Sequence, residues 1–103
     1  MTTASHPQEI LRAKINLETS QIAWKELLRF FASGTVIAVC PELDLVEVAT
    51  HISEDSKEQV EQWLSVNKIG RVSDEQAKTW LESDALLWSV VVKPWILVQQ
   101  RTN

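Results

Sequence analysis

The stretch from Leu86 to Gln99, LLWSVVVKPWILVQ, constrains this chain more than any other: it is almost wholly apolar, rich in valine and tryptophan, and broken only at Lys93-Pro94. Side chains branched at Cβ or carrying rings fit a pleated surface better than a helix, so the run predicts two strands, over 86–92 and 95–99. Pro94 has no N–H to give to a ladder, and no Asn-Gly or Asp-Gly pair stands at the break, so a wider turn or an edge bulge is expected there. These strands need neighbours. Thr35 to Cys40 (TVIAVC), short, continuous and closed by Pro41, predicts a buried strand over 35–40, and Lys68 to Val72 supplies another over 68–72.

Elsewhere the apolar residues recur at helical spacing. Ser5-His6-Pro7-Gln8 has the form of a capping box, which predicts a helix over 7–17 preceded by disordered or frayed residues 1–6. Trp24, Leu27, Leu28 and Phe31 fall at i, i+3, i+4 and i+7, predicting a second helix over 20–33 that Gly34 ends. Residues 44–53 fit two periods. Leu45, Val48, Ala49 and Ile52 share a helical face behind a starting box of Asp44 and Glu47, while Val46, Val48, Thr50 and Ile52 alternate as a strand; the helix is the preferred reading. Asp55 with Glu58 marks the start of a helix over 56–66, and Ser73 with Gln76 the start of one over 74–82. The sum is an α+β fold in a single domain, residues 1–103, with a small mixed sheet of three or four strands and four or five short helices on one face.

Composition removes several classes of function. At 45% apolar and 23% charged, the 103 residues match an ordinary folded protein rather than a disordered one. Residues 42–62 hold seven acids against Lys57 alone, the reverse of the clustered basic face that a phosphate backbone requires, so no nucleic-acid partner is expected. The N-terminal residues lack the basic and apolar regions of a leader, and no run reaches the roughly 20 apolar residues of a membrane span. No membrane partner and a cytoplasmic location are therefore expected. One cysteine, Cys40, leaves no internal disulfide, and two separated histidines give no metal-ligand spacing.

The residues that carry chemistry elsewhere have simpler roles here. Cys40 stands at the expected end of a strand, a place where open α/β sheets present functional groups, yet its neighbours Pro41 and Glu42 supply no cation to favour a thiolate. His51 reads as a surface residue one turn beyond Glu47. The carboxylate pairs Asp44/Glu47, Glu54/Asp55 and Asp74/Glu75 all stand where helices begin and acids meet exposed amides. There is no phosphate loop, H-E-x-x-H, G-x-S-x-G or C-x-x-C, and no cofactor is expected. Of five tryptophans, Trp24, Trp63 and Trp80 lie on helical stripes and Trp88 in a strand, positions that point to the core. Trp95, behind Lys93-Pro94, belongs first to the core or a dimer interface, with stacking on a ligand or anchoring a partner as the alternative.

The blocks LRAKINLETSQIAWKELLRFFASGTVIAV, LDLVEVA, SDEQA after Trp63, and LWSVVVKPWILVQ resemble, in order and spacing, a family of small bacterial proteins known as domain of unknown function 2288. The resemblance spans roughly residues 10–100 and implies a stand-alone bacterial protein, but it carries no activity to transfer. Within these blocks Glu18, Asp44, Glu47, Lys93 and Trp95 are polar or punctuating positions in apolar surroundings; with Trp24 they make the candidate binding surface. The first expectation is a non-enzymatic interaction or oligomerising protein, pairing through an exposed 86–99 edge with itself or another protein. The alternative is a small-molecule-binding regulatory protein or enzyme with a tryptophan-lined pocket, anchored by Glu18, Asp44 or Glu47.

Overall fold

The computed structural model describes residues 7–100; the Ser5 capping box and the expected fraying of 1–6 lie outside them. In chain order the elements are α1 (Pro7–Glu18), β1 (Ser20–Ala23), a 3₁₀ turn (Trp24–Leu27), α2 (Leu28–Ala32), β2 (Val36–Val39), α3 (Leu45–Ser53), α4 (Lys57–Ser65), β3 (Ile69–Arg71), α5 (Asp74–Glu82), β4 (Leu86–Val92) and β5 (Trp95–Gln99). The five strands form one mixed sheet in the order β1-β4-β5-β2-β3. Only β2 and β5 run parallel, with Val36 beside Ile96 and Ala38 beside Val98; the other neighbours are antiparallel.

The fold is α+β, as the periodicities indicate, but with five strands rather than three or four. The additional strand comes from the segment expected to open a helix over 20–33. Ser20 to Ala23 instead pairs with Ser89 to Leu86, and the Trp24 N–H donates to the Ala85 carbonyl at 2.9 Å. β4 is the reason: one of its edges is taken by β5, and the other offers a row of unpaired groups that outweighs the weak helical preference of Ser-Gln-Ile-Ala. The apolar stripe then continues through a 3₁₀ turn, in which residues three apart eclipse, so Trp24 and Leu27 are both buried while Leu28 turns outward and is exposed.

A second correction concerns the layers. Helices cover both faces of the sheet. On one, α1, α3 and α4 pack Ile15, Leu45, Val48 and Ala49 against Val39, Ile69, Val90 and Leu97. On the other, the 3₁₀ turn, α2 and α5 pack Trp24, Leu27, Ala77 and Trp80 against Val36, Leu87, Ile96 and Val98. Successive residues of β2 and β5 point to opposite layers, so a run with no polar alternation is what a sheet buried on both sides requires. Each large side chain removed from water in either layer stabilises the fold by about 1.5–3 kcal/mol.

Several local expectations are met. Asp44 Oδ1 accepts the Val46 and Glu47 amides at 2.9 and 3.4 Å, which settles residues 45–53 as helix. Ser73 Oγ accepts the Gln76 amide at 3.1 Å, and Gly34 closes α2 at φ +76°. Asp55 does not cap α4: it occupies the left-handed region at φ +58° and Ser56 stands at the cap. The break in the C-terminal run is tighter than a wide turn or bulge. Lys93 and Pro94 form a two-residue loop with a cis peptide, Val92 and Trp95 pairing directly across it.

Candidate functional site

The residues singled out from the sequence are distributed over four places. Glu18 and Lys93 line one recess of about 260 Å³ between α1, α3 and the β4–β5 loop, with Lys14 and Ile52. Asp44 lines another, beside Glu9, Arg12 and Asn16 of α1, and Glu47 meets Arg12 at 3.8 Å in an exposed ion pair. Trp95 packs half-buried against the layer that α1 and α3 cover. Trp24 lies across the sheet from these, fully buried, its ring edge-on to Phe31 at 5.6 Å and to Trp80 at 5.1 Å. His51 is half-buried rather than a surface residue, its ring edge-on to Trp63 at 5.4 Å.

A different constellation forms at the carboxyl ends of β2 and β5. There a cleft of about 350 Å³ opens between α5 and the outer strands. It exists because two adjacent positions on this face of the sheet carry almost no side chain. Ala38 pairs with Gly70 across the β2–β3 ladder, and a Cβ built on Gly70 would meet no atom within 4 Å. Glycine within a strand commonly marks a place where something else approaches the backbone. The next pair on the same face is Cys40 and Lys68, tied by the Cys40 N–H donating to the Lys68 carbonyl at 2.8 Å.

Polar groups ring this floor. Lys68 Nζ donates to Glu42 Oε1 at 3.3 Å, and the Cys40 thiol donates to the same oxygen at 3.3 Å. Hydrogen bonding from Cys40, with the bond and charge of Lys68, holds the Glu42 carboxyl below the ordinary carboxylate range although it lies in water. The thiol is thus a hydrogen-bond donor to a carboxylate that the Lys68 ammonium shares. On the α5 side, Trp80 Nε1 donates to Gln100 Oε1 at 3.0 Å, which orients that amide with its nitrogen available to donate; Gln76 lines the same wall.

The turn carrying Glu42 is pinned from beneath. Cys40 to Leu43 closes with the Leu43 N–H donating to the Cys40 carbonyl at 3.0 Å, with Pro41 in the position whose fixed φ suits it. Buried Gln99, at the end of β5, donates through Nε2 to the carbonyls of Cys40 and Leu43 at 2.9 and 2.6 Å. The cleft escaped sequence reading apart from the position of Cys40 at a strand end. One signal was present: Gly70 is one of only two glycines in the chain and falls inside the predicted strand over 68–72.

Fold and cleft together define a mixed-sheet α+β protein with a polar recess beyond its one parallel strand pair. The chain belongs to the family described as Protein of unknown function (DUF2288), whose family model matches residues 10–100. It is similar to PA1075 from Pseudomonas aeruginosa, known from an NMR solution structure: the two are 44% identical with a TM-score of 0.80, over 97% of this chain and 95% of that one. A search of curated proteins gives no match. Among the described residues no helix is long and apolar enough to cross a membrane, and no three His, Cys, Asp or Glu side chains group to hold a metal.

Proposed function

We propose that this chain is a small-molecule-binding protein and that its site is the cleft between α5 and the β2–β3 edge. The observation that carries this reading is the bare floor at Ala38 and Gly70, open above the backbone and ringed by donors from three elements. Its volume of about 350 Å³ lies at the lower end of the roughly 300–1,000 Å³ typical of ligand pockets, which suits a compact metabolite. Trp80 forms part of its wall, in keeping with a tryptophan-lined pocket, while the anchors are Lys68 and Gln100 in place of Glu18, Asp44 or Glu47.

A thermal-shift screen of metabolites on the natural chain and on Gly70→Val tests this. A ligand that binds only the folded state raises the melting temperature. Valine at Gly70 occupies the floor and is expected to erase that rise; hits that stabilise both chains equally, or no hits, defeat the proposal.

A second reading, self-association or docking of a protein partner, is favoured by exposed Leu17, Leu86 and Val91, which are 86%, 61% and 58% accessible. Its route is not edge-to-edge pairing of the C-terminal strands, since β4 and β5 lie inside the sheet with both edges paired. Light scattering at millimolar concentration separates the two: a dimer supports the second reading, and a monomer removes self-association.

A further inference from the structure

Resting on the binding reading above, we infer that the ligand is a small carboxylate whose charged group replaces the Glu42 carboxylate on Lys68. Glu42 Oε1 receives both the Lys68 ammonium and the Cys40 thiol, each at 3.3 Å, so a two-donor seat for one carboxylate oxygen is already assembled at the mouth of the cleft. The occupant of that seat is loosely held. Glu42 sits on an exposed turn with 75% of its side chain accessible, and ion pairs at such exposure are weak because water competes for both partners. Exchanging one carboxylate for another keeps the charge on Lys68 balanced and returns Glu42 to solvent that it already meets.

The remainder of the cleft suits the body of such a molecule. No acidic residue lines it, although acids outnumber bases by fourteen to ten in the chain as a whole. Beyond Lys68, the sheet floor at Ala38 and Gly70 carries no bulky side chain, and Pro41 and the Gln100 amide, its nitrogen available to donate, also line the cleft. A flat apolar group therefore lies along the strands while its carboxylate takes the seat. Glu42 becomes an internal competitor, vacating Lys68 when the ligand arrives.

Sodium benzoate is the probe and benzyl alcohol its neutral counterpart, each titrated into the full chain and followed by ¹⁵N–¹H correlation spectra. Benzoate is expected to move the Gly70 amide and the Trp80 indole N–H. Glu42→Gln should tighten benzoate several-fold by removing the competing charge, and Lys68→Met should weaken it about tenfold, the loss of one charge-assisted hydrogen bond. Well-dispersed spectra of both variants establish that they fold. If benzyl alcohol binds the cleft as tightly as benzoate, or Glu42→Gln leaves benzoate binding unchanged, the carboxylate inference is overturned while the binding reading stands. If neither probe moves Gly70 or Trp80, the inference again fails; the metabolite screen with Gly70→Val then decides the binding reading on its own.

Discussion

Two side chains outside the apolar layers do more than their exposure suggests. Gln99 closes the sheet's carboxyl end by donating to two carbonyls of the Cys40–Leu43 turn, and its residue is 2% accessible. Gln99→Leu keeps the volume but removes the side-chain donor from both carbonyls, that of Cys40 retaining only the Leu43 N–H. It should lower unfolding free energy by about 1–3 kcal/mol in denaturant titration. Glu42 is the complement, exposed but tuned. Its carboxyl titrates below its reference value of 4.5, so the stabilisation it provides is complete above that pH and is lost as pH falls through the lower, folded value. Carbon-detected titration of the Glu42 carboxyl should therefore give a midpoint on the acid side of 4.5, and Cys40→Ala and Lys68→Met should each move it upward.

At the scale of elements, the sequence was most legible where local preference and tertiary demand agree. The strands 86–92 and 95–99 and the helix 74–82 have the predicted bounds, because their valines, tryptophans and Ser73 cap want the same state that the fold imposes. Asp44 belongs with them. Asp44→Ala should lower stability by about 1 kcal/mol, with Asp44→Asn retaining most of it, measured by thermal unfolding. Ser20 to Ala23 was illegible for a physical reason: its strand state is conferred by the free edge of β4, more than sixty residues on, not by its own side chains. The face that each helix covers is likewise not written in its periodicity, which explains why helices expected on one side occupy two. Gly70→Val tests an element as well as a site. A β-branched residue suits a strand, so the variant should be as stable as the natural chain or up to about 1 kcal/mol more so.

For the molecule as a whole, one sheet is shared by two apolar layers that do not touch except through it. Leu45→Ala in one layer and Leu27→Ala in the other should each lower stability by about 2–5 kcal/mol. Both variants should still unfold in a single transition, coincident by tryptophan fluorescence and far-ultraviolet circular dichroism. Separate transitions would mean that the layers melt independently. The cleft was hard to read in sequence for a reason of the same scale: it is made by side chains that are missing, at Ala38 and Gly70, and only the pairing of β2 with β3 places those absences together.

The sheet order also fixes when the structure can exist. β5 lies between β4 and β2, so it is the only strand joining the β1–β4 pair to the β2–β3 pair. On the ribosome the β1–β4 and β2–β3 pairs therefore stay unjoined until residues 95–99 have cleared the exit tunnel, each with an unpaired backbone edge still waiting for its neighbour. Joining of the sheet waits for the last of its five described strands, and a nascent chain stalled before Trp95 should remain open to protease while one stalled well beyond Gln99 resists it.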